Sequence, residues 1–97
     1  MNVVVSPAAE ADLAGIFEHT LENWGSDQAS KYIDLLIARF KWLTTNRSLW
    51  RPRDDLRPGL YGQYEGRHLI VFREVEGDLQ IVRVLHQRMD PARHGLS

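Results

Sequence analysis

The sequence predicts an α+β fold in which a helical hairpin packs on one face of an antiparallel sheet. Two apolar patterns with helical spacing lie side by side in residues 7–45, and only Gly25-Ser26 separates them. Three strand-like segments follow in residues 60–86, divided by the turn sequences Glu65-Gly66 and Glu76-Gly77-Asp78. Because helices and strands are segregated along the chain, this class is favoured over an alternating α/β arrangement.

The N-terminal half predicts a short strand followed by the two helices. Val3-Val4-Val5 is a β-branched run typical of a strand, and Ser6-Pro7 predicts an N-cap followed by proline at the first helical position. Each helix carries one apolar stripe: Leu13, Ile16, Phe17, Leu21 and Trp24 in the first, and Ala29, Tyr32, Ile33, Leu36, Ile37, Phe40 and Leu43 in the second. Because the link between them is so short, the helices must be antiparallel neighbours.

The segment that joins the second helix to the strands, residues 46–59, is called the connector. It is rich in proline and arginine, with basic side chains at Arg47, Arg51, Arg53 and Arg57. The strands that follow are predicted at 60–64, 67–75 and 79–86, and they form a three-stranded antiparallel meander.

The turn at Glu76-Gly77 predicts a register in which paired residue numbers add to 153. One sheet face then carries the apolar residues Leu69, Val71, Val82 and Val84, bordered by Arg67, Arg73 and His86. The other face is richer in large apolar groups and is expected beneath the helices. The first face is too apolar for a fully solvated surface. It is therefore a protein-binding groove, a face covered by the connector or the C-terminal tail, or a partly covered face with a groove beside it.

Composition excludes several classes of function. The chain has 97 residues and no cysteine, which removes disulfides and thiol chemistry. It contains no glycine-rich phosphate loop, metal-binding histidine pair or nucleophile elbow, so we expect no cofactor and no metal ion. With no signal peptide and no apolar run of about 18 residues, a single cytoplasmic domain spanning residues 1–97 is expected.

The net charge of −1 hides an uneven distribution. Residues 1–38 hold six acidic residues and one basic residue, whereas residues 39–97 hold seven acidic and eleven basic residues. The basic connector could contact nucleic acid, or it could be a solvated loop whose arginines lie near its own aspartates. Trp42 and Trp50 could dock a partner helix, or they could pack on each other at the base of the hairpin.

Two further side chains carry specific expectations. Arg83 lies among apolar neighbours and is expected to form a structural ion pair with a helix carboxylate, for which Asp12 is the candidate. His86 is predicted at a strand end beside Arg67, where a general acid or base could act, although a structural histidine is the more common occupant of such a position.

Five segments occur in this order in one known family: residues 6–13, the Trp24-Gly25 junction, residues 51–59, residues 66–73 and residues 81–94. Together they resemble ParE-type toxins of the RelE/ParE superfamily, and the resemblance runs from about residue 3 to residue 94. The ending, from Ile81 to His94, is its most specific part.

The resemblance implies a type II toxin–antitoxin module that causes growth arrest and stabilises a plasmid or chromosome. The toxin would inhibit DNA gyrase, possibly on DNA, and would be neutralised in a hetero-oligomer with a cognate ParD-like antitoxin, with no role for a membrane. The alternatives are a ribosome-dependent mRNA endonuclease of the RelE type and a relative that has lost toxicity and only binds antitoxin.

The residues favour the gyrase branch and predict its interaction surfaces. Leu69 stands where the ribonuclease branch often has an arginine, and the tail after His86 has no tyrosine. No catalytic residue is therefore expected. The alternative, an mRNA endonuclease, would rely on Arg67, Arg73 and His86. The predicted antitoxin-binding residues are Leu69, Val71, Val82, Val84, Trp42 and Trp50, and the predicted target-binding residues are Arg51, Arg53, Arg57, Arg88 and Arg93.

Overall fold

The structure, a computed structural model, describes residues 1–89, and within them two α-helices, a one-turn 3₁₀ helix at Arg47–Leu49 and five strands form. The elements are β1 Val3–Val5, α1 Pro7–Trp24, α2 Ser26–Thr45, β2 Arg51–Pro52, β3 Tyr61–Glu65, β4 His68–Val75 and β5 Asp78–His86. The predicted α+β class, N-terminal strand, helical hairpin and meander are confirmed. Strand β2 was not predicted, because two residues carry no detectable alternation.

Capping groups hold the helical hairpin in place. The Ser6 hydroxyl accepts a hydrogen bond from the Ala9 amide at 3.0 Å and donates one to the Val82 carbonyl at 2.8 Å, so the N-cap also ties α1 to the sheet. Gly25, at a φ of +87°, ends α1 and lets α2 begin at the next residue. Both predicted boundaries are confirmed.

The five strands form one sheet in the order β1-β5-β4-β3-β2. Strand β1 runs parallel to β5, and the other pairs are antiparallel. The hairpin lies on one face of this sheet, the helix face, and the connector crosses the other, the connector face. The helix-face core contains Ala9, Ile16, Leu36, Phe40, Leu43, Trp50, Ile70, Phe72, Leu79, Ile81 and Val84, whereas the connector-face core contains Leu60, Leu69, Val71, Val82 and Leu85.

The predicted register holds near the β4–β5 turn and fails at the other end. Phe72 pairs with Ile81 as predicted, but a β-bulge follows, and Ile70 pairs with Val84. The extra residue at the bulge reverses the alternation of β5. Val84 therefore belongs to the helix face and Leu85 to the connector face, so the predicted faces of these two residues were wrong.

The apolar stripes of the helices are buried only in part. Leu36, Phe40 and Leu43 are fully covered, but Leu21 and Trp24 are 41% and 70% exposed. Helical spacing predicts which face of a helix is apolar and does not predict how far along the helix the sheet reaches. The end of α1 is thus an exposed apolar surface.

Candidate functional site

The connector covers the sheet face for which the sequence could not decide between a binding groove and a covered surface. Leu56 and Leu60 pack over Leu69, Val71 and Val82, which are all less than 5% exposed. This cover is held in shape by hydrogen bonds of the connector, including one at 2.8 Å from the Arg53 amide to the carbonyl of Leu60, the residue that follows the connector. The predicted cover by the connector is therefore present on this face.

The connector is laid closely against β3 at Gly62. A Cβ built at Gly62 would lie 3.0 Å from Cγ of Arg53 and 3.2 Å from Cδ1 of Leu69. Glycine at this position therefore allows the connector to approach the sheet.

The predicted target-binding arginines differ in their surroundings. Arg53 forms a two-pronged ion pair with Asp55, with distances of 2.9 and 3.0 Å, which raises the pKa of Arg53 and lowers that of Asp55. Arg51, Arg57 and Arg88 are exposed. Arg93, the fifth predicted residue, lies outside the described residues.

The two tryptophans predicted at a binding surface occupy different environments. Trp50 is buried, donates from Nε1 to the Leu43 carbonyl at 2.8 Å, and packs edge-on against Tyr61 and Phe72. Trp42 is half-buried, and the guanidinium of Arg39 lies 4.7 Å from its ring centre. Trp50 with these partners, rather than a Trp42–Trp50 pair, closes the base of the hairpin.

The three residues of the ribonuclease alternative do not meet on one face. Arg67 lies in the β3–β4 turn, and Arg73 donates to the Gln80 side chain at 2.7 Å near the far end of β4. Arg73 is six residue steps from Arg67, which places their Cα atoms about 20 Å apart along an extended chain. His86 packs edge-on against His68, with ring centres 5.4 Å apart, on the helix side of the sheet. The expectation that His86 shares a face with both arginines was wrong, because the bulge reverses the end of β5.

A hydrogen-bonded cluster around Tyr32 was missed from the sequence. The Tyr32 hydroxyl lies 2.6 Å from Nδ1 of His68, accepts from the Arg67 amide at 3.2 Å and lies 3.2 Å from the Glu65 carbonyl. A Cβ at Gly66 would come within 2.7 Å of this hydroxyl. The cluster fastens α2 to the β3–β4 turn, and no local motif could reveal it, because the sheet register brings its members together.

Burial shifts the pKa values of two groups in this cluster. Burial, assisted by the charges of His86 and His19, lowers the pKa of His68 to about 4, so its ring is neutral at neutral pH. Burial also raises the pKa of Tyr32, which keeps the hydroxyl protonated. The pair is therefore an uncharged hydrogen bond in the folded protein.

These histidines border a groove of about 1070 Å³, the histidine groove, between the hairpin and the ends of β4 and β5. Its lining residues are Ala11, Asp12, Gly15, Ile16, His19, Thr20, Trp24, Gln28, Tyr32, Gly66, Arg67, His68, Val84, His86, Arg88 and Met89. The combination of aromatic, apolar and basic side chains is suited to binding a ligand with a flat apolar part and negative charge.

One wall of this groove is fixed by the predicted Asp12–Arg83 ion pair, which is confirmed. Two guanidinium nitrogens of Arg83 donate to the Asp12 carboxylate at 2.7 and 2.8 Å, and the Val84 amide adds a bond at 2.9 Å. The carboxylate raises the pKa of Arg83. This pair joins α1 to β5 and neutralises the acidic group of the groove.

A second groove, the edge groove, lies where β1 borders the hairpin. Its volume is about 510 Å³, and its lining is mainly apolar: Met1, Asn2, Val3, Val5, Glu10, Leu13, Ile37, Phe40, Lys41 and Thr44. Within residues 1–89, β1 pairs with β5 on one side, and its other side is an open sheet edge. Such an edge next to apolar surface can accept an added strand.

Comparison with known proteins adds evidence on family. The sequence profile described as "ParE toxin of type II toxin-antitoxin system, parDE" matches residues 3–91. Toxin ParE1 of Mycobacterium tuberculosis is 39% identical over 92 residues, which make up 94% of each chain. Within residues 1–89, neither helix combines the length and the hydropathy that crossing a lipid bilayer requires.

Solved structures show the same fold. A chain of the chromosomal ParDE TA system from P. aeruginosa is similar with a TM-score of 0.76 and 23% identity, covering 89% of this chain and 95% of that chain. A chain of the YoeB-YefM complex from Staphylococcus aureus is similar with a TM-score of 0.59 and 17% identity, with the same coverage.

Proposed function

The chain belongs to the ParE toxin family of type II toxin–antitoxin systems, and we propose on that premise that it arrests growth by inhibiting DNA gyrase. In this proposal, a ParD-like antitoxin binds the toxin in the cytoplasm and keeps it inactive. Released toxin traps gyrase on cleaved DNA and thereby blocks replication. It acts through binding surfaces and needs no catalytic residue.

The separation of Arg73 from Arg67 and His86 is the observation that carries this proposal. RNA cleavage needs concentrated positive charge and a proton-transfer group within hydrogen-bond reach of the reacting atoms. Arg73 lies about 20 Å along β4 from Arg67, and His86 packs against His68 on the helix side. This arrangement supports inhibition by binding over phosphodiester chemistry.

For the antitoxin, we propose an initial contact at β1 and the edge groove. An antitoxin strand adds to the open edge of β1, and its apolar side chains enter the groove. The predicted antitoxin residues Leu69, Val71 and Val82 lie beneath the connector, so the antitoxin reaches them only after the connector moves aside.

Ile37 and Leu35 offer a matched test of this antitoxin surface. Both are exposed on α2, by 45% and 53%, but only Ile37 lines the edge groove. We expect Ile37→Glu to weaken antitoxin binding at least tenfold and Leu35→Glu to leave it unchanged, as measured by calorimetry. If the two variants weaken antitoxin binding equally, the edge groove is not the antitoxin site.

For the target, we propose that the basic connector contacts gyrase or its DNA. Arg51 and Arg57 extend into solvent, and Arg53 is held by Asp55 beside them. Arg88 and Arg93 complete the basic set predicted from the sequence. Reversing the charge of Arg51 and Arg57 together is expected to raise the toxin concentration needed for half-maximal DNA cleavage.

One experiment separates gyrase inhibition from the ribonuclease alternative. Purified toxin is incubated with gyrase and supercoiled plasmid, and in parallel with translating ribosomes and mRNA. Accumulation of cleaved plasmid without mRNA cuts, suppressed by added antitoxin, is the expected result. Cuts in mRNA without plasmid cleavage would instead establish the endonuclease.

A growth assay tests the alternative in which the protein has lost its toxicity. Expression of the toxin without antitoxin is expected to stop growth, and co-expression with the antitoxin is expected to restore it. Unchanged growth at a verified level of folded toxin would support a relative that only binds antitoxin.

A further inference from the structure

We propose that the histidine groove binds single-stranded DNA, with one base stacked on Trp24 and phosphates held by Arg67 and Arg88. The proposal rests on the proposed function only for the choice of DNA over RNA. The groove lies on the hairpin side of the molecule and is distinct from the connector arginines and the edge groove.

The polar groups of the groove favour an anion. Among the described residues that line it, Asp12 is the one carboxylate, and both its oxygens already accept hydrogen bonds from Arg83 and the Val84 amide. Arg67 and Arg88 carry only donors, and both are exposed. A ligand that fits this groove must therefore bring acceptors and negative charge, as a phosphate backbone does.

The tautomer of His86 adds another donor. The Arg88 amide, which can only donate, lies 3.1 Å from Nδ1 of His86, so Nδ1 carries the lone pair and the ring proton is on Nε2. The same bond disfavours a metal ion, because a histidine that binds metal through Nε2 would need a proton on Nδ1 and would then oppose the Arg88 amide. The ring therefore favours an oxygen-rich ligand.

Trp24 supplies the surface for a base. It is 70% exposed and is the last residue of α1, directly before the helix-ending Gly25. Exposure of so large an apolar ring is unfavourable in water, and stacking with a planar base would cover it. A peptide of acidic residues alone would satisfy the arginines but has no planar group to stack on Trp24, so single-stranded DNA is favoured over such a peptide.

Fluorescence anisotropy of a short labelled oligo(dT) with toxin alone tests the proposal. Trp24→Ala is expected to weaken binding about 5- to 100-fold, because stacking on the ring is lost. Arg67→Ala is expected to reduce the slope of log affinity against log salt by about 0.7, the amount for one phosphate contact on a single strand. Circular dichroism checks that both variants fold, as expected for exposed side chains.

Lys31→Ala is the matched control, since it removes one exposed positive charge of α2 that lines neither groove and lies outside the connector. Loss of oligo(dT) binding in the connector variant Arg57→Ala with unchanged binding in Arg67→Ala would overturn the proposal. So would the absence of oligo(dT) binding, equal binding of poly-glutamate, or tighter binding of oligo(U).

Because the measurement contains no gyrase, it is independent of the proposed function. Oligo(dT) binding that depends on Trp24, together with no trapping of gyrase, would support the groove while rejecting gyrase inhibition. Gyrase trapping that persists in Trp24→Ala, with no oligo(dT) binding by the wild type, would reject the groove alone.

Discussion

The two faces of the sheet are covered in different ways. On the helix face, helices of 18 and 20 residues bury a cluster of eleven side chains. On the connector face, an irregular loop buries a cluster of five. A helix is held by its own ladder of hydrogen bonds, whereas a short loop with few buried contacts opens at a lower free energy. We therefore expect the helix face to contribute more to the stability of the fold and the connector face to open more readily.

Leu36 and Leu69 test this difference with the same chemical change. Leu36 is 0% exposed beneath the helices, and Leu69 is 3% exposed beneath the connector. Removal of a buried leucine costs about 2–5 kcal/mol, depending on how well the surroundings collapse into the cavity. We expect Leu36→Ala to lower the free energy of unfolding by about 4 kcal/mol and Leu69→Ala by about 2 kcal/mol.

Urea titration followed by circular dichroism measures both values. Lower strand propensity of alanine adds to the cost at Leu69 and not at Leu36, so a smaller loss at Leu69 would be informative. A loss at Leu69 as large as that at Leu36 would show that the connector is as rigid a cover as the helices.

Ion pairs give a second contrast between the faces. Asp12 and Arg83 link α1 to β5 with side chains only 14% and 18% exposed, whereas Asp55, which pairs with Arg53 in the connector, is 62% exposed. Asp12→Asn leaves a largely buried guanidinium without its counter-charge and is expected to cost about 2 kcal/mol, less than for a fully buried pair. Asp55→Asn is expected to leave the urea midpoint unchanged. A shift of that midpoint comparable to the one in Asp12→Asn would contradict the contrast.

The fold could be predicted from the sequence where the signals are local or where the residue type is restrictive. Three predictions are of this kind: the helix cap at Ser6, the helix junction at Gly25 and the Asp12–Arg83 ion pair. Few residue types can cap a helix or form so tight a junction, and a charge among apolar residues needs a partner of opposite charge. The bulge at Val82 could not be predicted, because the apolar residues of β5 fit the strand pattern equally well with or without an extra residue. The sheet faces of Val84 and His86 depend on that bulge, so the faces predicted for these two residues were wrong.

The helix face also holds the buried histidine whose titration can be followed. The folded protein lowers the pKa of His68 from 6.5 to about 4, so the neutral ring is the form that the fold accepts. Its contribution to stability is fully present above pH 6.5. Between pH 6.5 and 4 the unfolded chain takes up a proton that the folded chain does not, and stability falls.

Thermal unfolding from pH 7 to pH 4 measures this effect. His68→Gln, which keeps an acceptor near Tyr32, is expected to flatten the fall in Tm below pH 6.5. His19→Gln changes an exposed histidine of the same groove and serves as the control. If Tm falls equally steeply below pH 6.5 in His68→Gln and in the wild type, another group causes the loss of stability.

The smallest expected effect concerns the cover of the connector face itself. Leu56 is half-buried against the connector-face core, so Leu56→Ala is expected to cost only about 1 kcal/mol in global unfolding. Local opening should respond more strongly, because Leu56 and Leu60 are the leucines that hold the connector on this face. Trypsin can cut after Arg53 but not readily after Arg51 or Arg57, since proline follows each of these.

Cleavage after Arg53 therefore reports opening of the connector. We expect Leu56→Ala to speed this cut severalfold under native conditions while the urea midpoint moves little, because local opening precedes global unfolding. If the rate of the cut rises only in proportion to the loss of global stability, the connector opens with the whole fold. An antitoxin could then reach Leu69, Val71 and Val82 only by unfolding the toxin, and the distinction between the two faces would disappear.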